Sequence, residues 1–278
     1  MTPNDYCKQK ASPRGSAFYY STRKFTVDQC LAVTAIKAFY QEIEDITVTY
    51  EDFGVAHAKL NWWRDEVIKI QDGQPTHPVA IALQESLKKF ALSPLPLIEI
   101  IEGLEQNLTL PTFEKFEDVM IHFMRTAGKR EVMIAGVLLQ PDESLNPEAI
   151  YQLALVIELT RYLQNLRRYV RRGLIYFSQE ELQRFQVSEA QLREFKTTKN
   201  IVELLAFQAE KIVRAYQKGQ ELLTHNQSKS LLNILIRCEL ACGTLRAIQS
   251  SRYAVLENFI DITPLRCWWI AYTTTASG

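Results

Sequence analysis

At 278 residues the chain is long for one domain, yet all-helical proteins of this size often form one layered bundle, so a single domain over 1–278 is expected. Hydrophobic residues make up 47% and charged residues 23%, a balance that supports a large core and excludes disorder. Thirty-two Lys and Arg cancel thirty-two Asp and Glu, so net charge points neither to nucleic acid nor to an anionic membrane as a global partner, and any charge signal must be local.

The N-terminus, MTPNDYCKQK, is polar and lacks the apolar core of a signal peptide, and the apolar run Cys267 to Tyr272 is far too short to span a bilayer. A cytoplasmic protein, at most peripheral to a membrane, is expected. Cys7, Cys30, Cys238, Cys242 and Cys267 form no CxxC pair and read as reduced thiols. Cys238 and Cys242 lie one helical turn apart with no His beside them, so two small core residues are expected rather than zinc ligands.

Thr26, three residues ahead of Gln29, opens a helix over 27–47 with Leu31, Ala35, Ile36, Phe39 and Ile43 on one face. A second helix carries Ala58, Leu60, Trp62 and Trp63 towards Ile70 and stops at Asp72-Gly73, and His77-Pro78 opens a third. After Pro94 and Pro96, Ile98, Ile101, Leu104 and Leu108 give another amphipathic helix, and a further one covers 113–139. Asn146 as N-cap, Pro147 at the first position and Gly173 as terminator define one helix with its body from Ala149 to Arg172. Short helices follow over 179–185 and 188–196, long ones over 199–223 and 229–253, and a closing one over 263–272. No strand-period alternation and no repeat is present, so the fold class is all-α.

Two helical faces could carry chemistry. Gln41, Glu44, Asp45 and Val48 fall within about 100° of arc, and so do Glu158, Arg161, Asn165, Arg168, Tyr169 and Arg172 on the helix after Asn146. A polar stripe on an otherwise apolar helix lines a cavity or meets a charged partner inside the protein, or else forms a solvated outer face. His77 beside Pro78 reads as a capping or packing residue. His57, His122 and His225 show no ligand spacing, and no glycine-rich phosphate loop is present. Trp62 and Trp63 read as core packing.

The segments YCKQKASPRGSAFYYS (6–21), AIKAFYQEIEDI (35–46), AKLNWWRDEV (58–67), THPVAIAL (76–83), LIEIIEGLEQNL (97–108), ELTRYLQNLRRYVRRGLIYF (158–177), RFQVSEAQL (184–192) and TPLRCWWIAY (263–272) follow a shared order. In that order and spacing the chain resembles the squalene/phytoene synthase family, and is similar in particular to bacterial presqualene diphosphate synthases. The resemblance implies an isoprenoid synthase helical bundle around a central cavity. It also implies head-to-head condensation of two prenyl diphosphates, with magnesium held by two DxxxD motifs on facing helices. Cations neutralise the departing diphosphate, and carboxylates hold the cations.

Residue by residue the motifs depart from that pattern. Glu44 stands for the leading aspartate of the first motif, Asp45 is retained, Val48 replaces the last aspartate, and Gln41 replaces a phosphate-contacting arginine. Asn165 and Tyr169 replace both aspartates of the second motif, and Asn107 a further one. Ser16, Arg171, Arg172, Gly173 and Tyr176 match. The usual metal site is therefore expected to be absent, with no cofactor required and magnesium implied only if the chain is an active prenyl transferase.

Three readings follow. In the first, Glu44 and Asp45 pair with Arg161 or Arg168, the chain is non-catalytic, and it acts through a protein partner, as does an eroded family member that assembles respiratory complex I. In the second, Arg161, Arg168, Arg171 and Arg172, with Lys129 and Arg130, bind a prenyl diphosphate or lipid headgroup without metal. In the third, prenyl transfer survives on unusual ligands.

Overall fold

A computed structural model describes residues 1–49, 52–140 and 142–277. Helices account for every regular element among them, apart from short 3₁₀ turns at Gln106–Thr109 and Ala254–Leu256. In chain order they are α1 (Pro3–Ala11), α2 (Ala17–Ser21), α3 (Val27–Thr49), α4 (Phe53–Asp72), α5 (Pro78–Lys89) and α6 (Leu95–Glu105). Next come α7 (Phe116–Phe123) and α8 (Lys129–Leu138), joined by a π-helical turn over Met124–Gly128. The second half holds α9 (Pro147–Gln164), α10 (Leu166–Arg172), α11 (Gln179–Arg184), α12 (Glu189–Arg193), α13 (Lys199–Glu221), α14 (His225–Ser230), α15 (Leu232–Ser250) and α16 (Pro264–Ser277).

Local chemistry explains most of the boundaries. Asn146 caps α9 by accepting from the Ala149 amide at 3.4 Å, and Pro147 occupies the first helical position. Gly73 and Gly173 end α4 and α10 at φ +79° and +83°, a conformation that favours glycine. His77 caps α5: its Nδ1 accepts from the Val79 amide at 3.2 Å while its ring packs against Tyr6, Trp62 and Trp63. Trp63 is buried beside Phe39, but Trp62 is 42% exposed, so only one of the pair is core.

Several elements differ from the sequence reading; among them, the helix expected over 229–253 is two, α14 and α15. The helix expected from Ala149 to Arg172 is broken at Asn165, whose backbone leaves helical values at φ −104°, ψ 19°. Its side-chain amide donates to the Arg161 carbonyl at 3.0 Å, the local competition with backbone that makes asparagine a poor interior helix residue. In addition, α1 and α2 were not anticipated. Thr2 and Asp5 form a capping box around Pro3, with the Asp5 amide donating to Thr2 Oγ1 at 3.1 Å. Ser16 caps α2, accepting from the Tyr19 amide at 3.1 Å.

One large cluster of buried apolar side chains runs from Cys7 to Leu256, and a smaller one lies beneath α16 around Ile236, Leu240, Ile262, Cys267 and Ala271. Within this packing α9 lies against α8, α13 and α15, and α3 lies against α1, α5 and α8. The π turn is wedged between α6 and α9. A Cβ added at Gly103 would come within 2.8 Å of Thr126 Cγ2, and one at Gly128 within 2.8 Å of Tyr151 Cδ1. The turn sets the phase of α8, so the residues entering the interior just after it are Arg130 and Glu131, both fully buried.

Candidate functional site

Glu44 of α3 reaches across the interior to Arg161 of α9, whose Nη2 donates to Glu44 Oε1 at 2.5 Å. The same guanidinium donates through Nε to Glu158 at 2.8 Å and through Nη1 to the Tyr169 hydroxyl at 2.7 Å. The chain of charges continues through the other oxygen of Glu158, which accepts from Arg130 Nη2 at 2.8 Å. Arg130 Nε donates to Glu131 at 2.7 Å, and Arg237 of α15 forks onto both oxygens of Glu131, one contact being 2.7 Å. Asn233 steadies the far end, accepting from Arg237 Nε at 3.0 Å and donating to Ser21 Oγ at 2.9 Å.

Three carboxylates, Glu44, Glu158 and Glu131, thus alternate with three guanidinium groups, Arg161, Arg130 and Arg237, in a ladder from α3 to α15. Burial opposes ionisation of Glu131, but Arg237 and Arg130 overcome it and hold its pKa at about 2. Glu158 is likewise held low against burial by Arg161 and Arg130. Fully buried, Arg130 lies 4.3 Å over the Tyr40 ring, and its Nη1 has no hydrogen-bond partner. Lys37 of α3 stands beside the ladder as a surplus cation, half-buried over the same ring. Burial, and then the Arg130 charge, lower its pKa to about 7.

The ladder forms one wall of a cavity of about 480 Å³. Polar lining includes Ser16, Lys37, Gln41, Arg130 and Arg161 and also the carboxylates of Glu158 and Asp261; Phe18, Ile157, Leu240, Ile262 and Cys267 supply apolar wall. Asp45 turns away from it. Its carboxylate pairs with Lys10 at 2.9 Å and accepts from Gln41 at 3.1 Å, facing a second hollow of about 570 Å³ with Trp62, Trp63 and His77.

Of the residues singled out in the sequence, the structure brings Glu44, Glu158, Arg161, Tyr169 and Arg130 into the ladder and Ser16 and Gln41 onto the cavity wall, and it separates Asp45, Arg168, Arg171, Arg172 and Lys129 from them. Arg168 does not face the interior with Asn165 and Tyr169 as expected: after the break at Asn165 it is exposed to solvent. Arg171 is also exposed, over Phe195 at 5.7 Å, and Arg172 lies over Phe53 at 5.9 Å, so neither lines the cavity among the described residues. Lys129 points outward to Glu99 at 2.6 Å. Tyr176 is buried beneath the ladder, its hydroxyl donating to Asn107 at 2.9 Å within a cluster containing Tyr162, Tyr169 and His122. Glu131, Arg237 and Lys37 were missed in the sequence. The available signal was a lone charge in the apolar run AVTAIKAFY for Lys37 and the charged Arg237 and Glu239 inside the otherwise apolar LNILIRCELA; Glu131 carried none.

An all-helical bundle with opposed polar faces on α3 and α9 defines the isoprenoid synthase class of fold. Solved structures similar in shape include a dehydrosqualene synthase in complex with ligand (TM-score 0.83, 18% identity, covering 99% of this chain and 96% of that one). Another is the squalene synthase HpnC from Alicyclobacillus acidocaldarius (TM-score 0.73, 16% identity, covering 90% and 94%). The family profile described as squalene/phytoene synthase matches residues 12–266, and the chain belongs to that family. Among curated relatives, phytoene synthase of Arthrospira platensis is 24% identical over 229 residues, which span 78% of this chain and 74% of that protein. Chloroplastic phytoene synthase 2 of Zea mays is 22% identical over 254 residues, spanning 90% and 63%.

The side chains at the motif positions do not fit the multi-carboxylate magnesium site implied for this family. One carboxylate oxygen of Glu44 is held by Arg161, Asp45 opens to a different hollow, and Asn165 and Tyr169 offer an amide and a phenol. Among the described residues no group of three His, Cys, Asp or Glu side chains converges on a point.

Proposed function

We propose that this chain does not carry out magnesium-dependent condensation and that its cavity instead holds one anionic amphiphile, a prenyl diphosphate, without metal. The observation that carries this reading is the single guanidinium of Arg161 engaging both Glu44 and Glu158, occupying charge that the family implies for magnesium. Support for a ligand comes from the unpartnered Nη1 of buried Arg130 and from Lys37, both on the cavity wall, with Ser16 and Gln41 as further polar contacts and an apolar side for the chain. Residues 1–278 act as one domain in this reading, supported by the apolar cluster that runs from Cys7 to Leu256.

A second reading, prenyl transfer, is favoured by the relatives, which are named phytoene synthases. Titration calorimetry with a non-hydrolysable farnesyl diphosphate analogue, once with magnesium and once with a chelator, separates the two. Binding of equal strength in both buffers is the expected result. Binding that requires magnesium would overturn the proposal in favour of the enzyme. Absence of binding in both would leave the fold serving a protein partner.

A further inference from the structure

The first turns of α16 carry an unpartnered aromatic face. Leu265, Trp268, Trp269 and Tyr272 recur at i, i+3, i+4 and i+7 and are 75%, 44%, 57% and 57% exposed. The rings touch one another, Trp268 stacking on Tyr272 at 5.6 Å and Trp269 lying 6.2 Å from it. Phe259, in the segment leading into the helix, is 68% exposed. The opposite edge of α16, through Cys267 and Ala271, packs into the small cluster against α15, so the helix is held in place while its aromatic face stays uncovered.

We infer that this face docks α16 flat onto a lipid bilayer surface. Tryptophan and tyrosine are the side chains enriched at the headgroup level, where an apolar body and a polar tip are both satisfied. Further along the helix, the hydroxyls of Thr273, Thr274 and Thr275 bond back to the carbonyls of Trp269, Ile270 and Ala271 at 3.0, 2.8 and 2.6 Å. Turned this way, the hydroxyls are satisfied within the helix. Within α16 the only charge is Arg266, and the helix starts beside Gly15, next to exposed Arg14, while exposed Glu257 and Asp261 precede it; Arg266 is the charge that an anionic lipid would meet on the docked helix. Continuity with the cavity is a further argument, since Pro264 and Cys267 of the same helix belong to its lining. An amphiphile could therefore pass between bilayer and cavity along α16, a consequence that rests on the proposed function, whereas the docking itself does not.

Sedimentation with phosphatidylcholine vesicles, with and without phosphatidylglycerol, tests the docking. The full chain is expected to bind, more tightly with the anionic lipid, with a blue shift of tryptophan emission. A W268S/W269S variant should lose at least tenfold in partitioning, and R266Q should lose only the anionic increment. Because these side chains are exposed, the melting temperature reads folding independently and should not move. Failure of the full chain to bind vesicles, or equal binding by the double variant, overturns the inference. Sedimentation velocity showing a dimer that W268S/W269S abolishes would assign the face to a second copy and overturn it too.

Discussion

Arg161 touches Glu44, Glu158 and Tyr169 at once, so its loss has a cost that its neighbours cannot absorb. Arg161→Ala would leave two buried carboxylates short of a counter-charge and should destabilise the fold by about 3–5 kcal/mol in denaturant unfolding. Arg168→Ala, on the exposed side of the Asn165 break, should stay within about 0.5 kcal/mol. Sequence pattern had made these two arginines equivalent; only the local backbone distinguishes them. Lys37 gives a second residue-level prediction. Its pKa of about 7 reflects burial first, then Arg130 and Arg161 against Glu158 and Glu44. A bound diphosphate would favour the charged amine, so binding at pH 8 should take up a proton. Calorimetry in two buffers of different ionisation heat would show it, and Lys37→Met should abolish the difference.

At the scale of elements, most helices were legible because capping residues and apolar periodicity agree, as with Asn146, Pro147 and Gly173 around α9 and α10. The break between those two helices was not, since it turns on one asparagine whose side chain takes its own helix's carbonyl. Periodicity also cannot register the π turn, whose added residue re-phases α8 without changing its composition. That turn is packed where α6 comes closest, so Gly103→Ala should push against Thr126 and the Arg125 carbonyl and cost about 1–3 kcal/mol in thermal or denaturant unfolding. The first acidic motif shows the same limit. Glu44 and Asp45 are adjacent in sequence and share a helical face by arithmetic, yet one enters the ladder and the other pairs with Lys10 over a separate hollow.

For the whole molecule, the ladder predicts how stability follows pH. Glu131 has its folded pKa lowered from 4.5 to about 2, with Arg237 and Arg130 outweighing burial. A carboxylate lowered in the folded state contributes stability that is complete above its unfolded pKa and is lost as pH falls through the folded one. Unfolding free energy should therefore drop between pH 4.5 and 2, and Glu131→Gln should flatten part of that drop in a pH series of denaturant melts.

Alternation along the ladder also constrains what the chain could become. Each interior rung is flanked by groups of opposite sign, so changing one rung strands two neighbours, and several kcal/mol is a large part of the roughly 5–15 kcal/mol that holds a domain folded. Aspartates placed at positions 165 and 169 would add negative charge around an Arg161 that is already engaged, while leaving Arg130 and Arg237 in place. A metal-binding interior would need coordinated replacement of several residues on α3, α8, α9 and α15. Single substitutions lead downhill in stability before any ion could be held, which makes the ladder a one-way door.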